Sequence, residues 1–202
     1  MPRDKLLIAT HNAGKAAEIK RILERTHVNL VTLSDLCDSN EVDETGSTFA
    51  ANSELKSSVY ARRWQMPTLA DDSGLSIDHL HGRPGVMSAR YAGANSTDED
   101  RIQKVLSEMR DAEADQRSAR FICALSLADE NGKIVKTVEG KCDGVITTSA
   151  RGNRGFGYDP IFQPVGFGKT FAELGPEVKN EISHRADAIL KMIPFLRGFF
   201  EI

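Results

Sequence analysis

Cysteine and long apolar runs are what this sequence has least of. Only three cysteines, Cys37, Cys123 and Cys142, stand in 202 residues, with neither a CxxC pair nor an even framework. That excludes a disulfide scaffold and fits a reducing, cytoplasmic setting. No HExxH pattern accompanies the scattered histidines, so a zinc centre is not expected. No window approaches the ~20 consecutive apolar residues of a membrane span, and no membrane partner is expected. The opening Lys5-Leu6-Leu7-Ile8-Ala9 is too short for a signal peptide, with polar Thr10-His11-Asn12 directly behind it. An excess of either charge is also missing: 26 basic residues against 29 acidic ones leave a net charge of −3. Such a balance draws in neither a nucleic-acid polymer nor an anionic lipid surface, so any phosphate must be held by local clusters. What is present, 40% apolar and 27% charged residues, is enough for a packed core and excludes disorder. A single domain over residues 1–202 is expected.

The order of elements reads as α/β. Residues 5–9 form a short buried strand, a polar turn follows, and Ile19, Ile22 and Leu23 recur at helical spacing over 14–26. Residues 28–33 alternate as a second strand, an acidic loop runs over 34–47, and 48–65 read as a helix stopped by Pro67. Thr68-Leu69-Ala70 reads as a brief buried strand ending in Asp71-Asp72-Ser73-Gly74, with a further strand over 75–80. Thr97 or Ser96 caps a helix over 95–110 whose first turn carries Asp98, Glu99 and Asp100. Residues 117–129 and 133–141 flank the hairpin signal Asn131-Gly132, and 145–148 extend the sheet. A glycine-rich loop spans 151–168, and 176–200 are helical, with a kink or break expected at Pro194. The pattern predicts a mixed β-sheet in two lobes flanked by helices, with a cleft between the lobes.

Six clusters can carry chemistry. Thr10-His11-Asn12-Ala13-Gly14-Lys15 lies between a strand end and a helix start, where free amides and the helix dipole favour an anion. Gly14 permits close backbone approach and Lys15 adds a mobile positive charge, although an ordinary capped turn has the same composition. Asp71 and Asp72 are adjacent on a strand and so point opposite ways, one toward a ligand and one into structural hydrogen bonds. Asp43-Glu44 offers carboxylates from another loop, and oxygen ligands of this kind suit a hard cation. Phe49, Asn52 and Lys56 share one helical face. Phe156-Gly157-Tyr158-Asp159 places aromatics in a glycine-rich loop, where they either stack on a planar base or simply pack. Lys179, Ser183, His184 and Arg185 surround the last helix's start and can meet an anion or a carbonyl oxygen, or serve as cap residues.

Together, THNAGK, DETGSTFAANSELK, ADDSGL, GRPGVMSARYAG, GFGYDPIF and ISHR closely resemble the inosine/xanthosine triphosphate pyrophosphatase family, bacterial type, over nearly the whole chain and in the family's order. The resemblance implies hydrolysis of dITP, ITP, XTP and dXTP to the monophosphate and pyrophosphate, a Mg²⁺ requirement, a homodimer, and an elongated mixed β-sheet fold with the active-site cleft between two lobes. By position it implies that Thr10, His11, Asn12, Ala13, Gly14 and Lys15 bind phosphates. Asp72 would be proton acceptor and metal ligand, with Asp43 or Glu44 as the second metal ligand and Lys56 helping to neutralise charge. Ser73 would touch substrate, Phe156, Gly157, Tyr158 and Asp159 would hold base and sugar, and Lys179, His184 and Arg185 would bind the nucleotide. Two other readings stand beside it: a pyrophosphatase of related fold acting on modified pyrimidines or standard nucleotides, and a nucleotide sensor without hydrolysis.

Overall fold

The computed structural model describes residues 5–201. Strand β1 (Lys5–Ala9) is apolar on both faces because both are covered. Leu6 and Ile8 pack with Ile19 and Leu23 of helix α1 (Ala13–Leu23), whereas Leu7 and Ala9 face Tyr60 of helix α2 (Phe49–Trp64). Strand β2 (Asn29–Thr32) and strand β3 (Thr68–Ile77) run parallel to β1 on either side. Strands β4 (Ser118–Ala128), β5 (Ile134–Ile146) and β6 (Phe162–Pro164) complete one six-stranded sheet in the order β2-β1-β3-β4-β5-β6. Because β5 and β6 pair antiparallel, the sheet is mixed, as expected, and helices flank it. Among the described residues no helix is long and apolar enough to cross a membrane.

The chain forms two compact units. One comprises the residues up to Asp72, Cys123–Gly140 and those from Arg185 onward; the other comprises Ser73–Ile122 and Lys141–His184. In the second, Leu75, Ile77, Phe121, Phe162 and Phe171 build a core that Ile102 and Val105 of helix α3 (Asp98–Glu108) cover. Thr97 caps α3 in a reciprocal capping box with Asp100, so the acidic first turn both complements the dipole and closes the free amides.

Three expectations need correction. The two short strands read on either side of Asp71-Asp72-Ser73-Gly74 are one: β3 runs unbroken through these residues, because partners from other elements satisfy the two carboxylates. Likewise 133–141 and 145–148 are one strand, β5. Gly144 allows it by pairing with Pro164 where a side chain would meet the Gln163 carbonyl at 2.5 Å. Finally, the last helical segment breaks at Ser183, whose ψ of 161° is extended, between helices α5 (Pro176–Ile182) and α6 (His184–Phe200), with the short α4 (Phe171–Leu174) before them. Pro194 does not end α6. The carbonyl it leaves unbonded is that of Leu190, on the exposed face, where water can take the missing donor's place.

Asp38 fastens the loop after β2 to α2: its carboxylate accepts from Arg63 Nη1 at 2.9 Å, Trp64 Nε1 at 2.8 Å and the Asn40 amide at 2.9 Å. Burial pushes this carboxyl up, but the Asn40 amide, the Trp64 indole and Arg63 outweigh it and hold Asp38 far below the usual carboxylate range. The unfolded carboxyl titrates near ~3.9, above the folded value, so the ionised form stabilises fully above that pH and less as pH falls toward the folded value. Asp38→Asn should therefore cost stability at neutral pH, and its gap from the wild type should close below about pH 4. Urea midpoints measured across pH check this.

Candidate active site

The phosphate-loop candidate forms where β1 ends and α1 begins. Asn12 is the N-cap, its Oδ1 accepting the Lys15 amide at 3.0 Å, and no acidic residue occupies the first turn to neutralise the positive helix end. His11, Asn12 and Ala13 are exposed. His11 Nε2 lies 2.9 Å from the Tyr60 hydroxyl, which itself donates to the Asn40 carbonyl. Lys15 is not mobile: its ammonium lies 2.6 Å from the fully buried Asp71 carboxylate.

The paired aspartates divide as strand alternation requires. Asp71 turns inward, accepting from Arg185 Nε at 3.0 Å and from the Cys123 thiol at 2.9 Å. Arg185, 1% exposed, also pairs with Glu18. Burial alone would raise the Asp71 carboxyl, but Arg185 and Lys15 drive it well below its ordinary range. Asp72 turns to the other side, where Asn52 Nδ2 donates at 3.1 Å and Lys56 Nζ at 3.2 Å. Lys56 simultaneously holds Glu44 at 2.6 Å. Burial holds the Asp72 carboxyl above its ordinary range; Lys56 opposes this and the nearby Glu44 charge adds to it. Asn52 also accepts the Gly46 amide at 2.7 Å, so one buried amide fixes both the acidic loop and Asp72.

In the second unit, the glycine-rich loop is held by Asp159. Its carboxylate accepts the Phe156 amide at 3.0 Å and pairs with Lys179, whose ammonium stands 4.3 Å from the Phe156 ring centroid. A side chain at Gly155 would come within 2.1 Å of Asp159 Oδ2, and φ there is +78°, so glycine is required. Gly157 donates to Asp98 at 2.7 Å, and the Tyr158 hydroxyl donates to the Ser88 carbonyl. His184 stacks on Phe121 with centroids 4.7 Å apart. Ser73 sits next to Asp72 on β3, half-buried.

A model of the Ham1 family matches residues 6–195. The chain belongs to the Ham1 family. The dITP/XTP pyrophosphatase of Bacillus subtilis (strain 168) is 49% identical over 192 residues, covering 95% of this chain and 96% of that protein. The protein of the same name from Geobacillus kaustophilus (strain HTA426) is 49% identical over 188 residues, 93% of this chain and 92% of its own. Among solved structures, the Staphylococcus aureus Ham1 protein is 39% identical with a TM-score of 0.83, covering 96% of this chain and 99% of that one. A HAM1 protein from Coxiella burnetii is 38% identical with a TM-score of 0.84, covering 96% and 98%. Ham1 membership thus rests on sequence and fold alike.

Within this Ham1 chain, the acidic loop's two carboxylates separate: Glu44 meets Lys56, whereas Asp43 is exposed. Among the described residues no three His, Cys, Asp or Glu side chains cluster to hold a metal ion. A Mg²⁺ site does not need three, since this ion commonly takes one or two carboxylates and fills its other positions with water and phosphate oxygens. Glu44 and Asp72 fit that demand, two carboxylates drawn to one cation and each unfavourable to the other's charge. Sequence reasoning overlooked Asn52 as the residue that aims Asp72, Glu18 and Cys123 as partners of the buried aspartate network, and Asp98 as the anchor of Gly157. Of these only Asn52 had a signal, its helical spacing with Lys56.

Proposed function

We propose that this protein hydrolyses deaminated purine nucleoside triphosphates, dITP, ITP, XTP and dXTP, to the monophosphate and pyrophosphate, and so keeps such bases out of DNA and RNA. The carrying observation is the Asp72–Lys56–Glu44 cluster in a chain of the Ham1 family, whose relatives bear the name dITP/XTP pyrophosphatase. Glu44 and Asp72 would hold a Mg²⁺ ion, which when bound neutralises phosphate charge and makes the phosphorus more electrophilic. The exposed amides at the start of α1, with Thr10, His11 and Asn12, bind phosphate oxygens. Lys56 adds a fixed positive charge: burial pulls its ammonium down, but Asp72 and Glu44 outweigh that and keep it protonated. Asp72 accepts the proton of the attacking water, which a bound cation would polarise.

Phe156 offers a ring for base stacking, steadied by Lys179, while Gly157, Tyr158 and Asp159 hold the loop around it. Because the Arg185 guanidinium is engaged by Asp71 and Glu18, base reading falls to His184 and backbone N–H groups. A donor set meets the 6-carbonyl of hypoxanthine or xanthine and leaves adenine's amino group facing another donor. Each such mismatch costs roughly 1–3 kcal/mol, so two give a hundredfold preference. Among the described residues no disulfide joins the cysteines, which suits a cytoplasmic setting, and the homodimer is what the family resemblance implies.

Pyrophosphate release with Mg²⁺ from dITP, XTP, dGTP, dATP and dTTP in parallel tests this reading. Release from dITP and XTP at least a hundredfold faster than from dATP is the expected result, with turnover lost on chelation. Equal release from all five would keep the chemistry and remove the base-reading role, and silence on all five would leave a nucleotide sensor.

A further inference from the structure

The second unit holds a cavity of about 500 Å³ whose lining carries donors and no carboxylate. Arg117 and Arg151 contribute guanidinium groups, Thr148 and Ser149 contribute hydroxyls, and the apolar remainder comes from residues such as Val145 and Ile146. Arg117 is 7% exposed. Four of its N–H groups go to backbone carbonyls, those of Ile146, Met109, Ala112 and Thr147. No carboxylate lies within ion-pair reach of it among the described residues. Carbonyl dipoles satisfy its hydrogen bonds but leave a whole positive charge without a counter-charge in a desolvated place, which is unfavourable. Arg151 donates to Gln163 at 2.8 Å and has Glu173 at 3.7 Å from its Nε, so it steadies the cavity's other wall. The hydroxyls of Thr148 and Ser149 have no hydrogen-bond partner among the described residues.

We propose that this cavity is a binding site for a small phosphate-bearing anion, built from residues of the second unit alone and independent of the proposed hydrolysis. A phosphoryl group presents three or more oxygens and so meets the Arg151 guanidinium and both hydroxyls together, with the Arg117 charge behind them, whereas a carboxylate has only two. Space for an anion of that class is ample, since ordinary ligand pockets measure roughly 300–1,000 Å³.

Inorganic phosphate is the probe, titrated into the full-length protein while the amide resonances of Thr148 and Ser149 are followed. Both should shift in the wild type and in Lys15→Ala, in which the α1 loop is impaired. Arg151→Gln should weaken the phosphate Kd read at those amides at least tenfold, and so should Thr148→Ala, an exposed change that leaves the core untouched. Unmoved amides would overturn the proposal. So would wild-type affinity in both cavity variants, or loss of the shifts in Lys15→Ala, which would place the phosphate at the α1 loop. The titration needs no turnover, so its failure is separate from failure of the pyrophosphatase reading.

Discussion

Asp72→Asn should lose at least a thousandfold in kcat on dITP while its urea midpoint stays at or above the wild-type value. The two halves of that expectation have one cause. Asn keeps the shape of Asp72 and its contact with Asn52, but it cannot take a proton from water or contribute charge to a cation site. Removing the charge does not harm the fold, because burial and Glu44 already disfavour the ionised carboxyl there. Lys56 retains Glu44 at 2.6 Å, so no buried cation is stranded. A carboxylate that the fold holds against its own preference is a frequent mark of a functional group. Near-wild-type turnover in this variant would remove Asp72 from the reaction, and loss of stability together with turnover would make the residue structural. Steady-state kinetics beside urea unfolding distinguish these outcomes.

How far the site was legible in the sequence follows from how local each signal is. The alternate facing of Asp71 and Asp72 needs only the strand period, and the shared face of Asn52 and Lys56 needs only the helical one. Both hold in the structure. What the sequence could not show is which partner each residue meets at long range. Arg185 reaches Asp71 across 114 positions, and no periodicity connects them. That missing link explains why β3 read as two short strands: a polar run of Asp, Asp and Ser reads as a strand end unless Arg185, Lys15 and Cys123 are known to surround Asp71. It also explains why Lys15 looked mobile. The same limit applies to Pro194, which local rules treat as a helix breaker although its unpaired carbonyl belongs to an exposed residue.

The neighbouring substitution, Asp71→Asn, should have the opposite signature: a stability loss of about 3–5 kcal/mol with far less effect on kcat. Asp71 is fully buried, and its carboxylate stands between the Lys15 ammonium at 2.6 Å and Arg185 Nε at 3.0 Å. A neutral amide there leaves Glu18 as the nearest counter-charge for a guanidinium 1% exposed, with the ammonium of Lys15 close by. Breaking such a network costs more than the network adds, because the desolvation of the remaining charges is no longer offset. For a chain of this size the melting midpoint should fall by roughly 6–20 °C. Cys123→Ala removes only one weak thiol donor and a small volume from the same place, and should cost about 1 kcal/mol. Function should register the loss through KM: Lys15, released from Asp71, no longer sits at a fixed place beside the α1 loop, so phosphate binding weakens before chemistry does. If Asp71→Asn instead abolished kcat at unchanged stability, the two aspartates would have exchanged roles, and the reaction would have to be rebuilt around the inward-facing carboxylate.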